Sequence, residues 1–86
     1  MRAGRAYRLL VRRGGALPAS LASPDRVDHV EVVEVGSGEV VLYWDCSPRE
    51  ATRLARALRT DLAGREADEF IARWSAGHGS RRERLR

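Results

Sequence analysis

The sequence predicts an α+β fold: a three-stranded antiparallel sheet with a C-terminal antiparallel helix pair packed on one face (β-β-β-α-α), followed by a basic flexible tail. Two runs rich in β-branched residues flank Gly36-Ser37-Gly38, the mark of a hairpin. Ser47-Pro48-Arg49-Glu50 follows, a capping box with proline at the first helical position, and apolar residues at helical spacing come after it. A short link at Gly64 then leads to a second amphipathic stretch, which makes the two helices neighbours. With 86 residues there is room for one core, because a chain this short buries only about 60% of its unfolded surface. Residues 1–77 are therefore expected to form a single domain, with 78–86 as a disordered basic tail.

The first strand is Tyr7-Arg8-Leu9-Leu10-Val11-Arg12, with Tyr7, Leu9 and Val11 on one face and Arg8, Leu10 and Arg12 on the other. Gly14-Gly15 ends it. From Ala16 to Arg26, Pro18 and Pro24 interrupt any long helix, so this stretch reads as a connecting loop with one helical turn at 18–22 and Leu17 and Leu21 tucked inward. The hairpin strands run from His29 to Val35 and from Glu39 to Trp44. A three-residue loop pairs Val35 with Glu39 and gathers Val30, Val32, Val40, Leu42 and Trp44 on one face. A two-residue Ser37-Gly38 loop shifts the pairing by one. In both registers Val41 and Tyr43 point the other way. The first helix presents Ala51, Leu54, Ala55, Leu58 and Leu62 as its core stripe; the second, from about Arg65 to Ala76, presents Ala67, Phe70, Ile71 and Trp74. Glu66, Asp68 and Glu69 suit its first turn, and Gly77 ends it.

All 16 basic residues are Arg, and the chain has no Lys, Asn or Gln. The net charge of +4 hides a segregation: residues 1–15 carry five Arg and no acid, 16–50 carry two Arg against seven acids, and 81–86 are basic again. No apolar run approaches the roughly 20 residues of a membrane span, and the N-terminus lacks a signal-peptide pattern, so a soluble cytoplasmic protein without a membrane partner is expected. No cofactor is expected either. Gly14-Gly15 lacks the lysine and helix of a phosphate loop, and the hairpin accounts for Gly36-Ser37-Gly38. His29 and His78, the only histidines, are far apart, and Asp25, Asp28, Glu31 and Glu34 make a solvated strand rim rather than a metal site.

Cys46, the only cysteine, precedes a helix N-terminus, where the dipole lowers a thiol pKa, and the hairpin brings His29 opposite it in one register. A cysteine-dependent enzyme using Cys46 and His29 is thus a remote reading. The stronger one makes Cys46 structural, packing on Ala51 as a staple, and the protein not an enzyme. Arg49, Arg53 and Arg56, at i, i+4 and i+7, put three guanidinium groups on one helix face, and Arg81 and Arg82 extend the basic surface. That pattern suits sequence-tolerant nucleic-acid binding through phosphates. Ahead of it stands a small non-enzymatic protein-interaction or regulatory module. Two helices on one sheet face would leave Leu10, Val33, Val41 and Tyr43 as an apolar interface on the other, for a homodimer or another protein partner. No stretch carries a motif that names a family.

Overall fold

The computed structural model describes residues 1–14 and 27–78, so the 15–26 connection and the basic tail lie outside the described residues. The elements are α1 (Ala3–Ala6), β1 (Tyr7–Arg12), β2 (Asp28–Glu34), β3 (Val40–Cys46), α2 (Pro48–Gly64) and α3 (Ala67–His78). The strands form one antiparallel sheet in the order β1-β2-β3, followed by helices, as the sequence predicts. Among the described residues no helix is long and apolar enough to cross a membrane.

The hairpin takes neither anticipated register along its whole length. At its tip the Gly38 amide donates to Glu34 O at 2.8 Å and the Glu34 amide to Glu39 O at 2.8 Å, enclosing Val35, Gly36, Ser37 and Gly38. Gly38 supplies the positive φ of 78° that lets this loop close. Val33 therefore faces Val40, while from Val32 onward the pairing is Val32 with Leu42, Val30 with Trp44 and His29 with Asp45. Val41 is the extra residue, a β-bulge on an edge strand. The bulge absorbs the longer loop and restores the three-residue-loop register for the rest of the ladder.

Register then fixes the faces, because residues paired across strands share a side. Leu9, Val32 and Leu42 lie on one side with Val11, Val30 and Trp44. Here Val30, Val32, Leu42 and Trp44 meet Ala3, Ala51, Leu58, Phe70 and Trp74 in a single buried cluster, with Leu9 packed against it. The aromatic rings are in contact: Tyr7 with Phe70 at 5.5 Å between centroids, and Trp44 with Trp74 at 5.9 Å, edge to face. The opposite side carries Arg8, Val33 and Val40; Leu10, Glu31 and Tyr43; and Arg12, His29 and Asp45.

The start of α2 follows the capping box. Ser47 Oγ accepts from the Glu50 amide at 3.2 Å, and the Ser47 amide donates to Glu50 Oε1 at 3.1 Å. The Ser47 amide and the Ser47 hydroxyl, each donating to Glu50 Oε1, draw the Glu50 carboxyl below its usual range, helped by the field of Arg53. α3 begins two residues later than the sequence pattern suggests, and the N-terminal segment is the cause. Arg2 and Glu66 form a short antiparallel bridge, with the Ala3 amide donating to Arg65 O at 3.0 Å and the Ala67 amide to Met1 O at 2.8 Å. Arg65 and Glu66 are thereby held extended, and the helix starts at Ala67. Gly77 does not stop α3, which runs on to His78. The same bridge holds α1, which at four residues is too short to form alone. A Cβ on Gly4 would stand 3.2 Å from Leu62 O, so glycine lets α1 lie against the end of α2.

Candidate functional site

α2 lies with Ala51, Ala55 and Leu58 buried, which turns Arg49, Arg53 and Arg56 outward, opposite the core. At about 100° per residue Arg53 and Arg56 flank the middle of the exposed face, Arg49 begins it one turn earlier, and Arg59 stands at its β1 margin. All four arginines are exposed.

On the α3 side of this crest is a cleft of about 390 Å³ lined by Arg53, Arg56, Ala57, Thr60, Asp61, Arg73 and Trp74. Because later residues of α3 share it with earlier residues of α2, α3 runs back along α2. Asp61 fixes the cleft wall. Its carboxylate accepts from Trp74 Nε1 at 3.0 Å and pairs with Arg73 Nε at 3.0 Å and Arg65 Nε at 3.3 Å. On the β1 side is a smaller hollow of about 100 Å³, lined by Val11, Arg13, Ala51, Thr52, Ala55 and Arg59. The two hollows flank the arginine crest.

Ion pairing divides the arginines into two sets. Arg2 meets Glu66 at 3.6 Å, Arg12 meets Glu31 at 3.7 Å, Arg13 meets Asp28 at 3.5 Å, and Arg65 and Arg73 share Asp61. Among the described residues, Arg49, Arg53, Arg56 and Arg59 have no carboxylate within ion-pair distance, and neither do Arg5 and Arg8. The arginines without ion pairs thus concentrate on α2. The sequence singled out Arg49, Arg53 and Arg56 but not Arg73 and Trp74, which join them only through the α2–α3 packing. Arg81 and Arg82 lie outside the described residues.

The sheet face holds a different arrangement. Leu10, Val33 and Tyr43 do share it, each half-buried, but Val41 does not complete the patch: as the bulge residue it packs against the core cluster. Polar groups occupy much of this face. His29 Nδ1 lies 2.7 Å from Asp45 Oδ1 and 2.8 Å from Tyr43 Oη, with the Tyr43 ring stacked on the imidazole. A carboxylate only accepts, so in this pair His29 Nδ1 is the donor and Asp45 the acceptor. Glu31, only 8% exposed, sits between Leu10 and Tyr43 and pairs with Arg12.

Cys46 pairs with Asp28 on the core side of the sheet and packs against the buried cluster that contains Ala51. His29, one residue along from Asp28, is on the other side, opposite Asp45. The sheet itself thus separates the thiol from the imidazole. Asp28, fully buried, accepts from the Gly14 amide at 3.0 Å and pairs with Arg13, tying the end of β1 to the start of β2. Among the described residues no group of three or more His, Cys, Asp or Glu could hold a metal ion.

Comparison with known proteins leaves the geometry to speak for the site: no family model, no curated protein and no solved structure matches this chain.

Proposed function

We propose that the protein is a small non-enzymatic binding module whose working surface is the arginine crest of α2, and that its ligand is nucleic acid held through the phosphate backbone. One observation supports this reading above the others. In a chain whose basic residues are all arginine, those buttressing the fold are matched to carboxylates, whereas Arg49, Arg53, Arg56 and Arg59 line one helix without such partners among the described residues. Guanidinium groups left in this state bind phosphate bidentately at little desolvation cost. Recognition is sequence-tolerant, since phosphate contacts carry no base information and the chain has no Asn or Gln to read adenine. A labelled oligonucleotide titrated at increasing salt tests the proposal. Affinity that falls steeply with salt and is alike for unrelated sequences supports it; no binding near physiological salt refutes it.

Self-association through the open sheet face is a second reading, favoured by Leu10, Val33, Val40 and Tyr43 on one side of the sheet. It ranks lower because Val41 belongs to the core and because Glu31, Arg12, His29 and Asp45 interrupt the apolar surface. Light scattering across protein concentration decides it: a dimer that dissociates on Val33→Glu supports the reading, and a monomer at high concentration removes it.

A further inference from the structure

We propose that the α2–α3 cleft seats a single unstacked nucleobase, so that single-stranded nucleic acid, rather than duplex, is the ligand class of the arginine surface. The inference rests on the reading of α2 as a phosphate-binding crest and adds what that crest alone does not specify. Phosphate needs only charge and hydrogen-bond donors, which Arg49, Arg53, Arg56 and Arg59 offer on a convex helix. The cleft has another character. Ala57, the Thr60 side chain and Trp74 give it an apolar lining, while Arg53, Arg56 and Arg73 stand around them. At about 390 Å³ it is at the small end of the roughly 300–1,000 Å³ of small-ligand pockets, a size suited to one base.

The lining is held in place before any ligand arrives. Asp61 fixes the Trp74 indole through Nε1 and Arg73 through Nε, and a second contact to Arg65 holds the carboxylate itself. Trp74 is only 8% exposed and packs edge-on to Trp44, so it forms a floor rather than a protruding platform. The planar partners for a base are then the guanidinium groups of Arg53 and Arg56, which carry no ion pair among the described residues and can lie flat on a π-face. A strand running along α2 would place its phosphates on the crest and turn one base sideways into the cleft. In a duplex the bases remain paired and stacked and do not reach it. Thr60 Oγ1 already donates to Arg56 O at 3.1 Å, so the pocket offers little to distinguish one base from another.

The test uses wild-type protein and an Ala57→Leu variant with three probes: labelled oligothymidylate, the same strand paired with oligoadenylate, and heparin. Ala57 is exposed on α2 and leucine is a good helix former, so the substitution fills the cleft without altering a charge. Thr60→Leu, one turn away, fills it a second way and guards against a local effect of either change. We expect wild type to prefer the single strand to the duplex at equal salt. Each filled variant should lose about tenfold in oligothymidylate affinity, the scale of one lost base-stacking contact, with heparin and duplex binding unchanged. Equal affinity for single strand and duplex, or filled variants that bind oligothymidylate as wild type does, overturns the cleft assignment and leaves the phosphate crest standing. Failure of all three probes to bind overturns both.

Discussion

Reversing two charges on the crest, Arg53→Glu with Arg56→Glu, should change the salt dependence of binding by an amount that can be worked out beforehand. Four crest arginines have no carboxylate partner among the described residues: Arg49, Arg53, Arg56 and Arg59. If each neutralises one phosphate of a single strand, counterion release gives a slope of log affinity against log salt near −2.8, at about 0.7 per contact. Between about 50 and 200 mM salt, such a slope corresponds to a loss of roughly 50-fold. The double variant retains Arg49 and Arg59, so its slope should fall to about −1.4 and the loss over the same range to roughly sevenfold. Fluorescence anisotropy with a labelled oligonucleotide measures both slopes. The control is Arg5→Glu with Arg8→Glu, which changes net charge identically at two arginines that also lack ion pairs among the described residues but lie off α2. Its slope should match wild type. If both double variants flatten the slope equally, net charge governs binding and the crest has no special role; if neither does, phosphate contact lies elsewhere.

Three further outcomes follow from particular contacts. Val41→Glu should cost about 2 kcal/mol in urea unfolding, whereas Val40→Glu, on the other side of the sheet, should cost less than about 1; a stable Val41→Glu protein that has only lost self-association would return Val41 to the open face. Asp61→Ala, which leaves Trp74 Nε1, Arg73 and Arg65 without their shared carboxylate, should destabilise by about 2 kcal/mol or more, and Asp61→Asn by less, because the amide oxygen still accepts; equal losses would show that charge alone matters. Burial raises the Tyr7 phenol above its ordinary pKa, with Glu34 and Asp68 adding to the effect, so folding favours the neutral form. Its stabilisation is complete below pH about 10 and is lost as pH rises through the elevated folded value, so Tyr7→Phe should flatten the alkaline loss of stability while keeping the ring against Phe70. The chain has no lysine to titrate in that window, and parallel wild-type and Tyr7→Phe curves would refute the assignment.

What the sequence reveals of this fold is what local chemistry decides. Ser47, Pro48 and Glu50 specify the start of α2 by hydrogen bonds within one turn, and the apolar spacing of Ala51, Ala55 and Leu58 specifies its buried stripe. The hairpin's existence was equally legible from its β-branched runs. Its register was not, because Gly36-Ser37-Gly38 permits several loop lengths and the one adopted is reconciled with the ladder only by a bulge at Val41. That single residue decides whether the open face has a continuous apolar patch. α1 and the late start of α3 were invisible for a related reason: both depend on Arg2 meeting Glu66, and no local pattern in either segment announces the other.

The arginines show the same division with a functional consequence. A sequence in which all 16 basic residues are Arg gives no means of telling compositional bias from a binding surface, since i, i+4 and i+7 spacing arises often in such a chain. Tertiary pairing separates the two. Asp61 is the instructive case, because by position it could have neutralised Arg53 or Arg56 across the cleft, yet it is engaged by Arg65, Arg73 and Trp74. Glu50, the other acid on α2, is held by the Ser47 cap at the first turn. Both carboxylates of the helix are therefore engaged by structural partners, and among the described residues neither lies within ion-pair distance of an outward arginine. A helix selected for stability alone would gain a few tenths of a kcal/mol from each i, i+4 pairing of an acid with an arginine on its exposed face. On α2 those positions are instead Thr52, Ala57, Thr60 and Ala63, which carry no charge to neutralise the crest.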